Sequence, residues 1–158
     1  MLRLFFTVDI GLQDIDTADH TGATPLLFAA KYGWYKAVDL LLRMVSYVDD
    51  RKDDGETALH IAAERGDMPT ALVLIRARAG VDVESETGQT PLHRAVERGH
   101  IEVAALLLDA GASAWVVDRR GHSPATLALW LAAPLRHPRC PREIVRLFVK
   151  CGCLESHD

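Results

Sequence analysis

Five residues near the C-terminus carry side chains that hold metals: His137, Cys140, Cys151, Cys153 and His157. Thiolate and imidazole are ordinary zinc ligands, and the Cys-x-Cys and His-x-x-Cys spacings put pairs of donors within reach of one ion. Against a metal site, Cys151-Gly152-Cys153 falls at the end of the last helical pattern, where small half-buried thiols are common. No metal and no cofactor is expected. A second candidate chemistry is imidazole catalysis by His60 and His93, which recur in the tetrads TALH and TPLH. A catalytic histidine needs a nucleophile or ligand partner, and none can be assigned. The chain has no GxxxxGK[ST] phosphate loop, no HExxH helix, no GxSxG elbow and no GxGxxG turn. Its carboxylates fall at turn and helix-surface places, where solvated charge is the usual meaning. With no catalytic residue assignable, the chain is not expected to be an enzyme.

A third chemistry is anion binding. The segment "AAPLRHPRCPR" holds Arg136, His137, Arg139 and Arg142 among Pro134, Pro138 and Pro141, which forbid a continuous helix. Long basic loops are disproportionately functional. Helical spacing places Arg142, Arg146 and Lys150 near one face, which extends the patch. An anion or nucleic-acid contact through the loop around Arg136 to Arg142 is therefore the alternative to a protein-binding role, and steep salt dependence would mark it.

The elements that must position these residues follow from a repeat. TPLL begins at Thr24, TALH at Thr57, TPLH at Thr90 and SPAT at Ser123, and each start lies 33 residues after the last. Gly22, Gly55, Gly88 and Gly121 precede the tetrads by two residues; Gly33, Gly66 and Gly99 follow their first residue by nine. The first set supplies the positive φ that a tight turn needs, and the second ends a helix. Thr24, Thr57, Thr90 and Ser123 are helix N-caps, with Pro25, Pro91 and Pro124 at the first helical position, where no amide donor is lost. Alanines such as Ala29-Ala30 and Ala62-Ala63 keep each first helix thin. The second helices carry the larger apolar residues: Val38, Leu40, Leu41 and Leu42; Leu72, Val73, Leu74 and Ile75; Val103, Leu106, Leu107 and Leu108.

A fixed period of this length with this punctuation resembles the ankyrin repeat, a turn followed by two antiparallel helices. The resemblance runs from about Asp14 to Gly152. It implies an all-α solenoid of stacked helix-turn-helix units with projecting hairpin turns. The units are residues 19–51, 52–84, 85–117 and 118–154. Residues 1–18 read as a half repeat, the cap or remainder of an upstream unit, and 155–158 as a tail. In the fourth unit the second helix begins near Glu143, about eight residues late, so 132–142 is an insertion.

The family uses the last tetrad residue to hydrogen-bond between the turns of neighbouring repeats, which makes His60 and His93 scaffold. Leu27 and Thr126 stand there in the outer units. The resemblance also implies a non-catalytic interaction module that takes a protein partner on its concave face, built from hairpin turns and the exposed side of each first helix. By register that face holds His20, Thr21, Ala23, Lys31 and Tyr32; then Asp53, Asp54, Glu56, Glu64 and Arg65; then Glu86, Thr87, Gln89, Glu97 and Arg98; and finally Arg119, Arg120, His122 and Trp130. Tyr32, Trp34 and Trp130 are the expected anchors, since aromatic and arginine side chains dominate interface energetics. The middle reads as acidic and the C-terminal end as basic.

Composition is consistent and less specific. The chain has 158 residues, 49% of them hydrophobic, enough for a sizeable core. A net charge of −4 argues against nucleic-acid binding driven by bulk charge. Three cysteines crowded at one end give no disulfide framework, which favours an intracellular, cytoplasmic or nuclear setting. There is no Asn, hence no N-glycosylation site, and no apolar run long enough to span a membrane. The run Leu4 to Val8 is broken by Asp9 and lacks a small-residue cleavage site, so the half repeat explains it better than a signal peptide does. Exposed Leu4, Phe5 and Phe6 would then favour self-association at that end.

Overall fold

The computed structural model describes residues 18–20, 22–44, 47–132 and 142–154. Among them are eight helices and no strand: α1 (Pro25–Tyr32), α2 (Tyr35–Leu41), α3 (Ala58–Arg65), α4 (Met68–Arg76), α5 (Pro91–Arg98), α6 (Ile101–Asp109), α7 (Pro124–Leu131) and α8 (Arg142–Lys150). The half repeat at 1–18, with its expected self-association, and the tail at 155–158 lie outside the described residues, apart from residue 18. So does nearly all of the insertion.

Each first helix starts and stops for local reasons. Thr24 lies in the extended region at φ −83° and ψ 163°, and its hydroxyl accepts from the Leu27 amide at 3.5 Å. The first three helices end on Gly33, Gly66 and Gly99 at φ 70°, 68° and 74°, where a left-handed residue turns the chain into the second helix. The fourth does not: α7 ends on Ala132 at φ −75°, just before the insertion.

Packing forms two files. α3 lies against α1 and α5, and α5 against α7; α4 lies against α2 and α6, and α6 against α8. Ala29, Ala30, Ala62, Ala63, Ala95 and Ala128 are all buried, so the first helices approach closely. The second helices contribute Leu41, Leu74, Leu107 and Phe148, every one buried. The first three of these stand 17 residues after their capping threonine, and Phe148 stands 25 after Ser123. Phe148 thus stands eight residues further from its cap than the leucines do, and is buried as they are. Leu40, which the apolar pattern alone would have placed inside, is exposed.

The hairpins preceding the first helices are joined laterally. The Glu86 amide donates to the Asp54 carbonyl at 2.9 Å, and the Arg119 amide to that of Thr87 at 3.0 Å. Two glycines show what this contact demands. Gly55 has φ +77°, and a Cβ there would sit 2.8 Å from the Glu86 backbone nitrogen; Gly121 has φ +83° and open space. A side chain in the left-handed region costs about 1–2 kcal/mol at either place. Gly55→Ala adds a backbone collision, so its loss in thermal unfolding should exceed that of Gly121→Ala by about 1 kcal/mol or more. Equal losses would show that the hairpins do not touch.

Candidate partner-binding face

Four residues after each cap come Phe28, Ile61, Arg94 and Leu127; seven after come Lys31, Glu64, Glu97 and Trp130; eight after come Tyr32, Arg65, Arg98 and Leu131. These offsets lie on one side of a helix. That side is exposed at Phe28, Lys31, Tyr32, Arg65, Arg98 and Trp130, half-buried at Ile61, Glu64, Arg94 and Glu97, and buried at Leu127 and Leu131.

At the N-terminal unit the face is aromatic. Phe28 stacks on Tyr32 with ring centroids 6.0 Å apart, and Tyr32 on Trp34 at 5.3 Å, with interplanar angles of 22° and 26°. All three rings are exposed, as is the neighbouring Lys31. Tyr32 and Trp34 were expected here and Phe28 was not. The signal was present in the sequence, because Phe28 precedes Tyr32 by four residues, one helical turn.

The middle units differ from the acidic strip expected of them. Arg94 forms an ion pair with Glu56 and Arg98 with Glu64, each reaching back one unit; Lys52 pairs with Asp54 at 2.6 Å. Glu56 is 7% exposed and Gln89 5%, and the Gln89 amide donates to Glu97 at 2.9 Å. These two residues, read from the sequence as contact residues, therefore lie largely beneath the face. Burial raises the Glu56 carboxyl above its ordinary pKa even with Arg94 beside it. Asp53, Arg65, Glu86 and Arg98 are exposed; Asp54, Glu64 and Glu97 are half-buried. At the far end Arg119, Arg120 and Trp130 are exposed and His122 half-buried; His20 is exposed at the near end, and Thr21 lies outside the described residues.

The tetrad histidines lie under this face and hold neighbouring units together. The Thr57 amide donates to His60 Nδ1 at 3.1 Å, so that nitrogen carries no proton. Nε2–H then donates to the Gln89 carbonyl of the next unit at 3.0 Å. His93 repeats the arrangement with the Thr90 amide at 3.0 Å and the His122 carbonyl at 3.0 Å. Burial lowers both imidazole pKa values, that of His60 to about 4. Both rings are buried, with no approach for a substrate. In the fourth unit the Thr126 hydroxyl accepts from the Ser123 amide at 2.8 Å and donates to the Ser123 carbonyl at 3.0 Å.

Among the described residues, no three of His, Cys, Asp and Glu gather into a metal-holding group. Cys151 is exposed and Cys153 half-buried, while His137, Cys140 and His157 lie outside the described residues. The basic loop, with Arg136 and Arg139, also lies outside them. No helix among the described residues is long and apolar enough to cross a membrane.

A lateral stack of helix pairs joined by hairpins defines a repeat scaffold. The family model for ankyrin repeats, in three copies, matches residues 2–86, 46–118 and 65–156. The chain belongs to the ankyrin repeat family, whose members are generally protein-protein interaction modules and typically non-catalytic. No curated protein matches it.

Proposed function

We propose that this chain binds a protein partner through the face of its first helices and hairpin turns, without catalysis. The observation that carries the reading is the exposed stack of Phe28, Tyr32 and Trp34. Three exposed rings in one file form an apolar strip of the kind that interfaces cover. Water gains little from rings held parallel at the surface, whereas a partner side chain laid across them buries apolar area on both sides.

Charge refines the partner. Glu56 and Glu64 are neutralised from within, so the middle units present Asp53, Glu86 and Glu97 for basic residues of a partner, and Arg119 and Arg120 for acidic ones. His20, Lys31, Asp54, Arg65, Arg98, His122 and Trp130 complete the contact set. Rim charges of this kind govern association rate and salt sensitivity more than final affinity.

The test begins with a partner captured by affinity pull-down and identified by mass spectrometry. Tyr32→Ala is then expected to weaken its binding by about 2 kcal/mol, roughly thirtyfold. Arg119→Glu should mainly slow association. Leu40→Ala, on the opposite file of helices, should change nothing. Weakening by Leu40→Ala with none from Tyr32→Ala would place the interface on the other side of the stack.

A further inference from the structure

The first-helix face holds cations of two kinds. Lys52, Arg94 and Arg98 are held inside it by Asp54, Glu56 and Glu64. Lys31 and Arg65 are exposed and have no ion pair among the described residues. Both stand beside the aromatic strip. Lys31 precedes Tyr32 in the chain, and Arg65 leans back to it from the next unit. A Cβ on Gly33, between Tyr32 and Trp34, would lie 3.5 Å from Arg65 Nη2. The carboxylate near that point, Asp67, is already engaged. Its oxygens accept from the Thr70 amide at 3.2 Å and the Thr70 hydroxyl at 2.7 Å, which caps α4.

The openness of this corner does not come from the end of the stack. Arg65 and Arg98 take the place of Tyr32 one and two units on. Both are exposed although α3 and α5 have first helices packed on either side.

We propose that this corner takes a partner segment in which an apolar side chain is flanked by carboxylates. This rests on the first-helix face being the partner surface, and specifies its chemistry. The apolar side chain lies over Tyr32 and Trp34, which are 52% and 55% exposed and bury area only against a partner. Carboxylates meet the Arg65 guanidinium and the Lys31 ammonium, which the fold leaves without a counter-ion. Packed helix axes lie about 8–10 Å apart, and an extended chain advances about 3.3 Å per residue. An apolar residue over α1 and a carboxylate over α3 are then about two or three residues apart. A basic segment would meet two unopposed cations. A nucleic-acid strand stacks bases on such rings, yet its phosphates would run past the exposed Asp53 and Glu86 in a chain of net charge −4.

The probe is a phage-displayed library of random peptides, panned on the purified chain. Recovered peptides should carry Leu, Phe or Trp with Asp or Glu two or three residues away. Synthesised with a fluorescein label and titrated by anisotropy, they should bind at least roughly tenfold more weakly to Lys31→Glu with Arg65→Glu. The thermal midpoint of that variant should hold, since neither side chain has a partner in the fold. Lys36→Glu with Arg76→Glu, the same charge change on the second helices, should leave affinity unchanged. Peptides that need Tyr32 but carry Lys or Arg beside the apolar residue would overturn the proposal and leave the face reading standing. So would equal weakening by the two double variants, or by neither. Peptides indifferent to Tyr32→Ala would overturn both readings. An empty selection, or tighter binding of labelled oligothymidine than of any recovered peptide, would also overturn the proposal.

Discussion

Leu107→Ala is expected to lower the free energy of unfolding by about 2–5 kcal/mol, the range for truncating a buried leucine. Leu107 is fully buried in α6, which packs on α5 within its unit and on α4 and α8 in the units beside it. Removing three carbons there opens a void that touches three units at once. The surrounding helices cannot close it, because their spacing is set by alanine contacts in the other file. In a quasi-one-dimensional stack such a loss also weakens coupling to both neighbours. Chemical denaturation should show a lower midpoint, and the transition should broaden if the outer units unfold separately. Leu40→Ala, on an exposed position of α2, should cost well under about 1 kcal/mol. A Leu107→Ala loss no larger than that of Leu40→Ala would mean that α6 is not packed as described.

The second expectation is acid destabilisation between about pH 6.5 and pH 4. His60 is held neutral in the fold, with its pKa lowered to about 4 by burial, and His93 is shifted in the same direction. An unfolded chain titrates its histidines near their ordinary value of about 6.5. Above that value both states are neutral and the shift contributes nothing. As the pH falls through 6.5 the unfolded chain takes up protons that the fold refuses, and stability drops by up to about 1.4 kcal/mol per pH unit for each histidine. The loss is complete once the pH passes below the folded value. Glu56 works the other way: its raised pKa lets the fold bind a proton sooner than the unfolded chain does, which offsets part of the loss in the carboxylate range.

His60→Thr separates the contributions. A threonine serves as the cap partner at Thr126, so the helix start survives. The bridge to the Gln89 carbonyl does not, which should cost about 1–3 kcal/mol at neutral pH. Between pH 6.5 and 4 the variant should lose stability less steeply than wild type. Parallel curves over that window would show that His60 does not titrate as the burial requires.

What the sequence determined by itself was everything that depends on local stereochemistry repeated at a fixed interval. Glycine at a left-handed turn, threonine at an N-cap, proline after it and alanine on a thin helix each follow from the chemistry of a few adjacent residues. Their recurrence every 33 positions was enough to read the family and the helix pairs. Tyr32 and Trp34 were legible as surface aromatics for the same reason, since the register assigns them a face. The tertiary structure alone decided which charges remain on that face. Glu56 and Arg94 stand 38 residues apart and Glu64 and Arg98 stand 34 apart, so no local pattern pairs them. Their meeting depends on the lateral offset between stacked units and on side-chain rotamers, which also sink Gln89 beneath Glu97. That Lys31 and Arg65 find no such pair among the described residues was likewise beyond the sequence. Whether a charge is met depends on the unit packed against it, and pairing is a property of neighbours in space.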